Sequence, residues 1–167
     1  TMLKDETGDP HRLRMLMHGL RNEYKGGHDV LVGPVKELLV EYEHDPRTLD
    51  VACGALWRMA ADDLDAKRNI VNLGSIDLVI DAIGKCRYDA EFAEWAMGTV
   101  MSVAFEPEYK EYVSQRNAIE SILETLREHQ EKAGVFEWSC RCLYTLLVVH
   151  GDGDDSTQSN DILRRNI

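Results

Sequence analysis

Long apolar runs are missing from this chain. No stretch approaches the ~20 consecutive apolar residues that a membrane-spanning helix needs, so no membrane partner is expected. The opening Thr1-Met2-Leu3-Lys4-Asp5-Glu6 lacks the apolar core of a secretory signal, which suggests a cytoplasmic or nuclear protein. Strict apolar–polar alternation over β-branched residues is also absent, and with it the expectation of sheet. Basic residues are few: 19 Lys and Arg stand against 30 Asp and Glu, a net charge of −11. Nucleic-acid binding needs a basic footprint and is not expected. A protein or peptide partner carrying basic residues would be drawn in by the same field.

Catalytic and metal-binding patterns are equally scarce. No Ser or Cys stands in a Gly-x-Ser-x-Gly context, and no Gly-x-x-x-x-Gly-Lys phosphate loop occurs. Asp152-Gly153-Asp154-Asp155-Ser156 has the outline of a calcium loop, but the place for the closing carboxylate falls on Leu163. It reads as a polar connector. The four cysteines, Cys53, Cys86, Cys140 and Cys142, have no His or Cys spaced to complete a zinc site. They occupy positions of small residues in helical patterns, the ordinary place of reduced thiols. No enzyme, cofactor or metal is expected.

What is present is repetition. Ala52-Cys53-Gly54-Ala55-Leu56-Trp57-Arg58-Met59-Ala60 aligns without gaps to Ala96-Met97-Gly98-Thr99-Val100-Met101-Ser102-Val103-Ala104, and both align to Ser139-Cys140-Arg141-Cys142-Leu143-Tyr144-Thr145-Leu146-Leu147. The offsets are 44 and 43 residues, in the range where helical pairs and triplets stack into a superhelix. A second template precedes each. Val35–Tyr42 matches Ile76–Ile83 and Ile119–Leu126, with apolar positions at i, i+3, i+4 and i+7, one face of a helix. Gly33, Gly74 and Asn117 stand before these segments. Such residues tolerate a left-handed backbone and predict a sharp turn between helices. Pro46 and Pro107 fall where helices should open. Leu38, Leu39, Val79, Ile80, Ile122 and Leu123 are expected in one continuous core.

A short helix, a Gly turn, an apolar second helix and a third helix reading Ala-x-Gly-Ala-Leu-x-x-Met-Ala together resemble the armadillo repeat. Asn69-Ile70-Val71-Asn72-Leu73-Gly74-Ser75-Ile76 is similar to that family's passage from first to second helix, and Ala52–Ala60 to its third. The extra turn residue argues against the two-helix HEAT repeat. The resemblance implies an all-α chain, a right-handed α-α superhelix of about three armadillo-type repeats with partial repeats at both ends. Residues 1–9 would be a flexible N-terminus and 10–27 a capping helix or partial repeat. Repeats would cover 28–62, 63–106 and 107–149, and a polar loop and partial repeat 150–167.

In armadillo proteins the third helix lines a concave groove. Carried onto this chain, the groove positions are Val51, Gly54 and Arg58, then Trp95, Gly98 and Ser102, then Trp138, Arg141 and Thr145. Importin-alpha-like members have Trp in the middle and Asn at the end of each triplet, and this chain departs from both. Beta-catenin-like members use Gly in the middle with basic groups nearby, which Gly54 and Arg58 match. The resemblance thus implies a scaffold or adaptor binding a peptide or protein segment through Val51, Arg58, Trp95, Ser102, Trp138, Arg141 and Thr145. Trp95 and Trp138 share one register, each after an acid, Glu94 and Glu137. They are either aromatic anchors or covers for the joints between repeats. Trp57, in register with Met101 and Tyr144, is expected in inter-helix packing or a convex-edge patch. The other reading of the whole is a structural module of a larger protein, associating with itself or with its own chain through apolar terminal repeat faces.

Overall fold

In the computed structural model, residues 31–148 and the single positions 15, 18 and 19 are described. No strand occurs among them, and eight helices run through 31–148: α1 (Val32–Glu41), α2 (Pro46–Asp62), α3 (Leu64–Asn72), α4 (Ser75–Lys85), α5 (Ala90–Ala104), α6 (Pro107–Ser114), α7 (Ala118–Glu128) and α8 (Ala133–Leu147). The rest of the expected capping segment 10–27, and the expected loop and partial repeat over 150–167, lie outside the described residues.

Local chemistry sets the helix ends. Asp45, Asp63 and Asp89 each accept a backbone N–H in the first turn of α2, α3 and α5, satisfying a donor that has no partner within the helix. Pro46 and Pro107 occupy the first turns of α2 and α6, where a missing N–H costs nothing. Gly74 (φ 74°) and Asn117 (φ 62°) are left-handed and turn the chain into α4 and α7. Gly33 does not make the corresponding turn. It lies inside α1, which begins at Val32 with Pro34 still in the first turn, the one place in a helix where proline is tolerated.

The helices form two rows. α2, α5 and α8 pack side by side in one, and α1, α4 and α7 in the other, with α3 and α6 bridging between them. The core between the rows takes Leu38, Leu39, Val79, Ile80 and Ile122 from one side. Leu56, Met59, Phe92, Met97 and Val100 come from the other. Leu123, expected with this set, is only half-buried. It follows Ile122, the inward residue, so the helical turn carries it toward the edge of the same face.

Polar contacts join helices that are distant in sequence. Thr99 Oγ1 donates to the Cys53 carbonyl at 2.8 Å, and Ser139 Oγ donates to Met97 Sδ at 3.3 Å. Lys67, 7% exposed, reaches Glu106 at 2.5 Å. Lys85 pairs with Glu43 at 2.7 Å, and His129 Nε2 meets the Arg87 carbonyl at 2.8 Å. The Tyr112 hydroxyl donates to Asp77 at 2.9 Å while Arg116, also paired with Asp77, stacks 3.3 Å above the Tyr112 ring. The buried donors among these, Thr99, Ser139 and Lys67, fix register, since displacing one leaves a buried polar group unpaired.

Candidate partner-binding face

The row of α2, α5 and α8 carries the chain's three tryptophans, and the fold gathers them at one place. Trp57 of α2 lies 5.2 Å, centroid to centroid, from Trp95 of α5, tilted by 55°. It lies 5.8 Å from Trp138 of α8 in an edge-to-face arrangement. All three indoles are half-buried. Each contact is in the range where aromatic quadrupoles attract, about 0.5–1.5 kcal/mol beyond the area buried.

Gly98 makes this assembly possible. A Cβ built there would sit 3.2 Å from Trp57 Cδ1 and 3.3 Å from Nε1, inside ordinary contact distance. The indole therefore lies flat on the bare backbone of α5. Trp57 Nε1 is buried in that seat and finds no acceptor among the described residues. Such an unmet donor costs about 1–3 kcal/mol, which the two ring contacts and the buried ring area oppose.

Trp57, expected in inter-helix packing or a convex-edge patch, packs between helices, against Gly98 and against Trp95 and Trp138. The expectation did not join it to the other two indoles, and the fold does. The signal that could have found it is the pairing of a large ring on one helix with a glycine on the next. Alignment within single helices does not show that pairing.

The other expected contact residues divide. Arg141 holds Glu137 at 2.7 Å and lies 5.6 Å from the Trp138 ring centroid, within cation–π range. Thr145 Oγ1 donates back to the Arg141 carbonyl at 3.0 Å, and it and Arg58 are half-buried beside the indoles' row. Val51 and Ser102 must be set aside as presented side chains. Val51 is 1% and Ser102 4% exposed. Ser102 belongs to α5, the middle helix, which α2 and α8 close on both sides, and Val51 turns into the core.

The electrostatics of the face are acidic at one end. The Glu94 carboxylate rests against the first turn of α8 at Gly134. Its pKa is raised above the ordinary carboxylate value, first by burial and then by the charges of Glu91 and Glu137. Asp50, the equivalent acid one repeat earlier, is buried.

All four cysteines are free. Burial pushes the Cys142 thiol up to about 12. It pushes Cys53 and Cys86 up as well, with Asp50 and Asp89 adding to the shift. These three thiols are buried, away from the accessible, electropositive surroundings that activate a cysteine. Among the described residues, no three His, Cys, Asp or Glu side chains converge to hold a metal ion, and no helix is long and apolar enough to cross a membrane. Comparison with known proteins returns no matching family model, curated protein or solved structure.

Proposed function

We propose that the chain is an armadillo-type interaction scaffold, three repeats of a right-handed superhelix that bind a protein or peptide segment along the row of α2, α5 and α8. One observation carries the reading. Three tryptophans, one from each of α2, α5 and α8, meet on that row, largely buried but each still reached by solvent, in a chain that has no others. Aromatic clusters of this sort are the side chains most enriched at binding hot spots. Trp95, Trp138, Arg58, Arg141 and Thr145 are the contact residues, with Trp57 supporting both indoles.

The partner is a basic segment in this reading. Arg141 already shows how a cation would lie, near the Trp138 ring and against Glu137, and Glu94 offers a further carboxylate, whose charged neighbours among the described residues are the acids Glu91 and Glu137. Binding rather than catalysis is the activity proposed, in the cytoplasm or nucleus, where the four thiols stay reduced.

The test is a selection of peptides from a random display library, followed by titration of the best binder. Trp138→Ala should weaken that binder about 30-fold, the equivalent of a 2 kcal/mol hot spot. Val40→Ser, on the exposed outer side of α1, should leave it unchanged. A binder that loses affinity with Val40→Ser and keeps it with Trp138→Ala would place the binding face on the other row.

A further inference from the structure

The repeat register exposes an apolar surface on α8, beside the proposed contact residue Arg141. On α2, the positions Leu49, Cys53 and Ala60 are buried and Trp57 is half-buried, with its ring against Gly98 of α5, the helix that packs beside α2. One repeat on, the equivalent residues Ala93, Met97, Met101 and Ala104 of α5 are buried by α8. The same positions of α8 are Phe136, Cys140, Tyr144 and Leu147. Phe136 is 54%, Tyr144 64% and Leu147 60% exposed, and Cys140 is exposed as well. At helical spacing they form one uncharged stripe on a chain of net charge −11.

We propose that this stripe is a self-association surface, on which a second copy of the chain packs its own α8 antiparallel about a two-fold axis through Cys140. The stripe is self-complementary about that residue, as an isologous interface requires. Phe136 and Tyr144 lie four residues before and after Cys140, so each ring meets the other copy's opposite ring. Ala133 and Leu147 lie seven before and after, so a small side chain faces a large one. Cys140, itself small, sits at the crossing and lets the helices approach.

Charge agrees with the geometry. Glu137 and Arg141 flank the stripe on one side, three residues before and one after the axis. A two-fold operation lays that flank beside its copy with the direction reversed. The helical rise then brings Glu137 of each chain about 3 Å, measured along the axis, from the level of the partner's Arg141. The intramolecular pair at 2.7 Å can thereby extend into a four-charge ring. A single 15-residue helix covers less than the roughly 800 Å² per partner of a standard interface, so the dimer is weak and depends on concentration.

Sedimentation velocity of the full chain over a wide concentration range tests this, read together with oxidation by copper phenanthroline. In that reaction two thiols give two protons and two electrons to the oxidant and form one disulfide. The expected result is reversible dimerisation and a covalent dimer absent from Cys140→Ser. Phe136→Glu, at an exposed site that the fold does not need, should shift the midpoint at least tenfold upward. Glu137→Arg and Arg141→Glu should each weaken the dimer, and the double exchange should restore it.

A monomer at every concentration overturns the proposal. So does a dimer indifferent to Phe136→Glu, which would use another face. Cys140 that resists a thiol reagent in the monomer also overturns it, because another part of the chain would then cover the stripe.

Discussion

Replacing Gly98 by Ala tests the seat of the tryptophan cluster, and the structure sets the size of the effect. Alanine is the better helix former by about 1 kcal/mol, so on an open helix face the change would stabilise. Here the new methyl would lie 3.2–3.4 Å from three atoms of the Trp57 ring, against an optimum near 3.5–4.0 Å between carbons. Trp57 is hindered from yielding by Trp95 and Trp138, whose rings lie 5.2 and 5.8 Å away. Overpacking of this kind costs about 1–3 kcal/mol. The two effects together predict a protein destabilised by roughly 0–2 kcal/mol, with an altered near-ultraviolet circular dichroism spectrum as the rings shift. Urea denaturation followed by tryptophan fluorescence supplies the stability. A variant more stable by about 1 kcal/mol, with an unchanged aromatic spectrum, would refute the wedged ring.

Ile80→Ala should lose about 2–5 kcal/mol in the same denaturation experiment, the range for emptying a buried aliphatic site; a loss under ~0.5 kcal/mol would mean that α4 faces the other way. A thiol reagent should modify one cysteine quickly in the native protein, Cys140, and all four in denaturant, while reductant leaves the melting temperature unchanged. Two or more fast thiols would contradict the burial of Cys53, Cys86 and Cys142. Glu94→Gln should raise the melting temperature at neutral pH. Burial raises the folded-state pKa of Glu94 above its unfolded value, so the native state is penalised while the group is ionised and relieved as pH falls through the folded pKa. The gain from Gln should therefore shrink with acidification, and a gain that grows instead would reverse the sign of the shift.

Much of this was legible in the residues. The apolar spacing of Val79, Ile80 and Ile83 gave an inward face that the fold buries, and Gly74 and Asn117 made the left-handed turns that their side chains permit. The aspartates at 45, 63 and 89 were readable as helix starts only once the helices were placed, because Asp serves loops and caps alike. Spacing within one helix says which residues share a side and nothing of what lies opposite. Ser102 shares a side with Trp95 and is nevertheless closed in by a neighbouring helix. Trp57 was separated from Trp95 and Trp138 for the same reason: their meeting depends on how far α2 leans over Gly98, a property of packing between helices. The Lys67–Glu106 and Asp77–Tyr112–Arg116 contacts span 35–39 residues, and no local pattern announces them.

Fluorine NMR of the protein labelled with 5-fluorotryptophan tests the central claim most directly. Three tryptophans give three resonances, assigned by single Trp→Phe replacements. Titration with a selected peptide should move the Trp95 and Trp138 signals, with Trp57 following because its ring touches both, and the shifts should saturate at the stoichiometry of binding. A peptide that binds with a measured affinity while all three resonances stay in place would contradict the claim that this row of helices is the binding face.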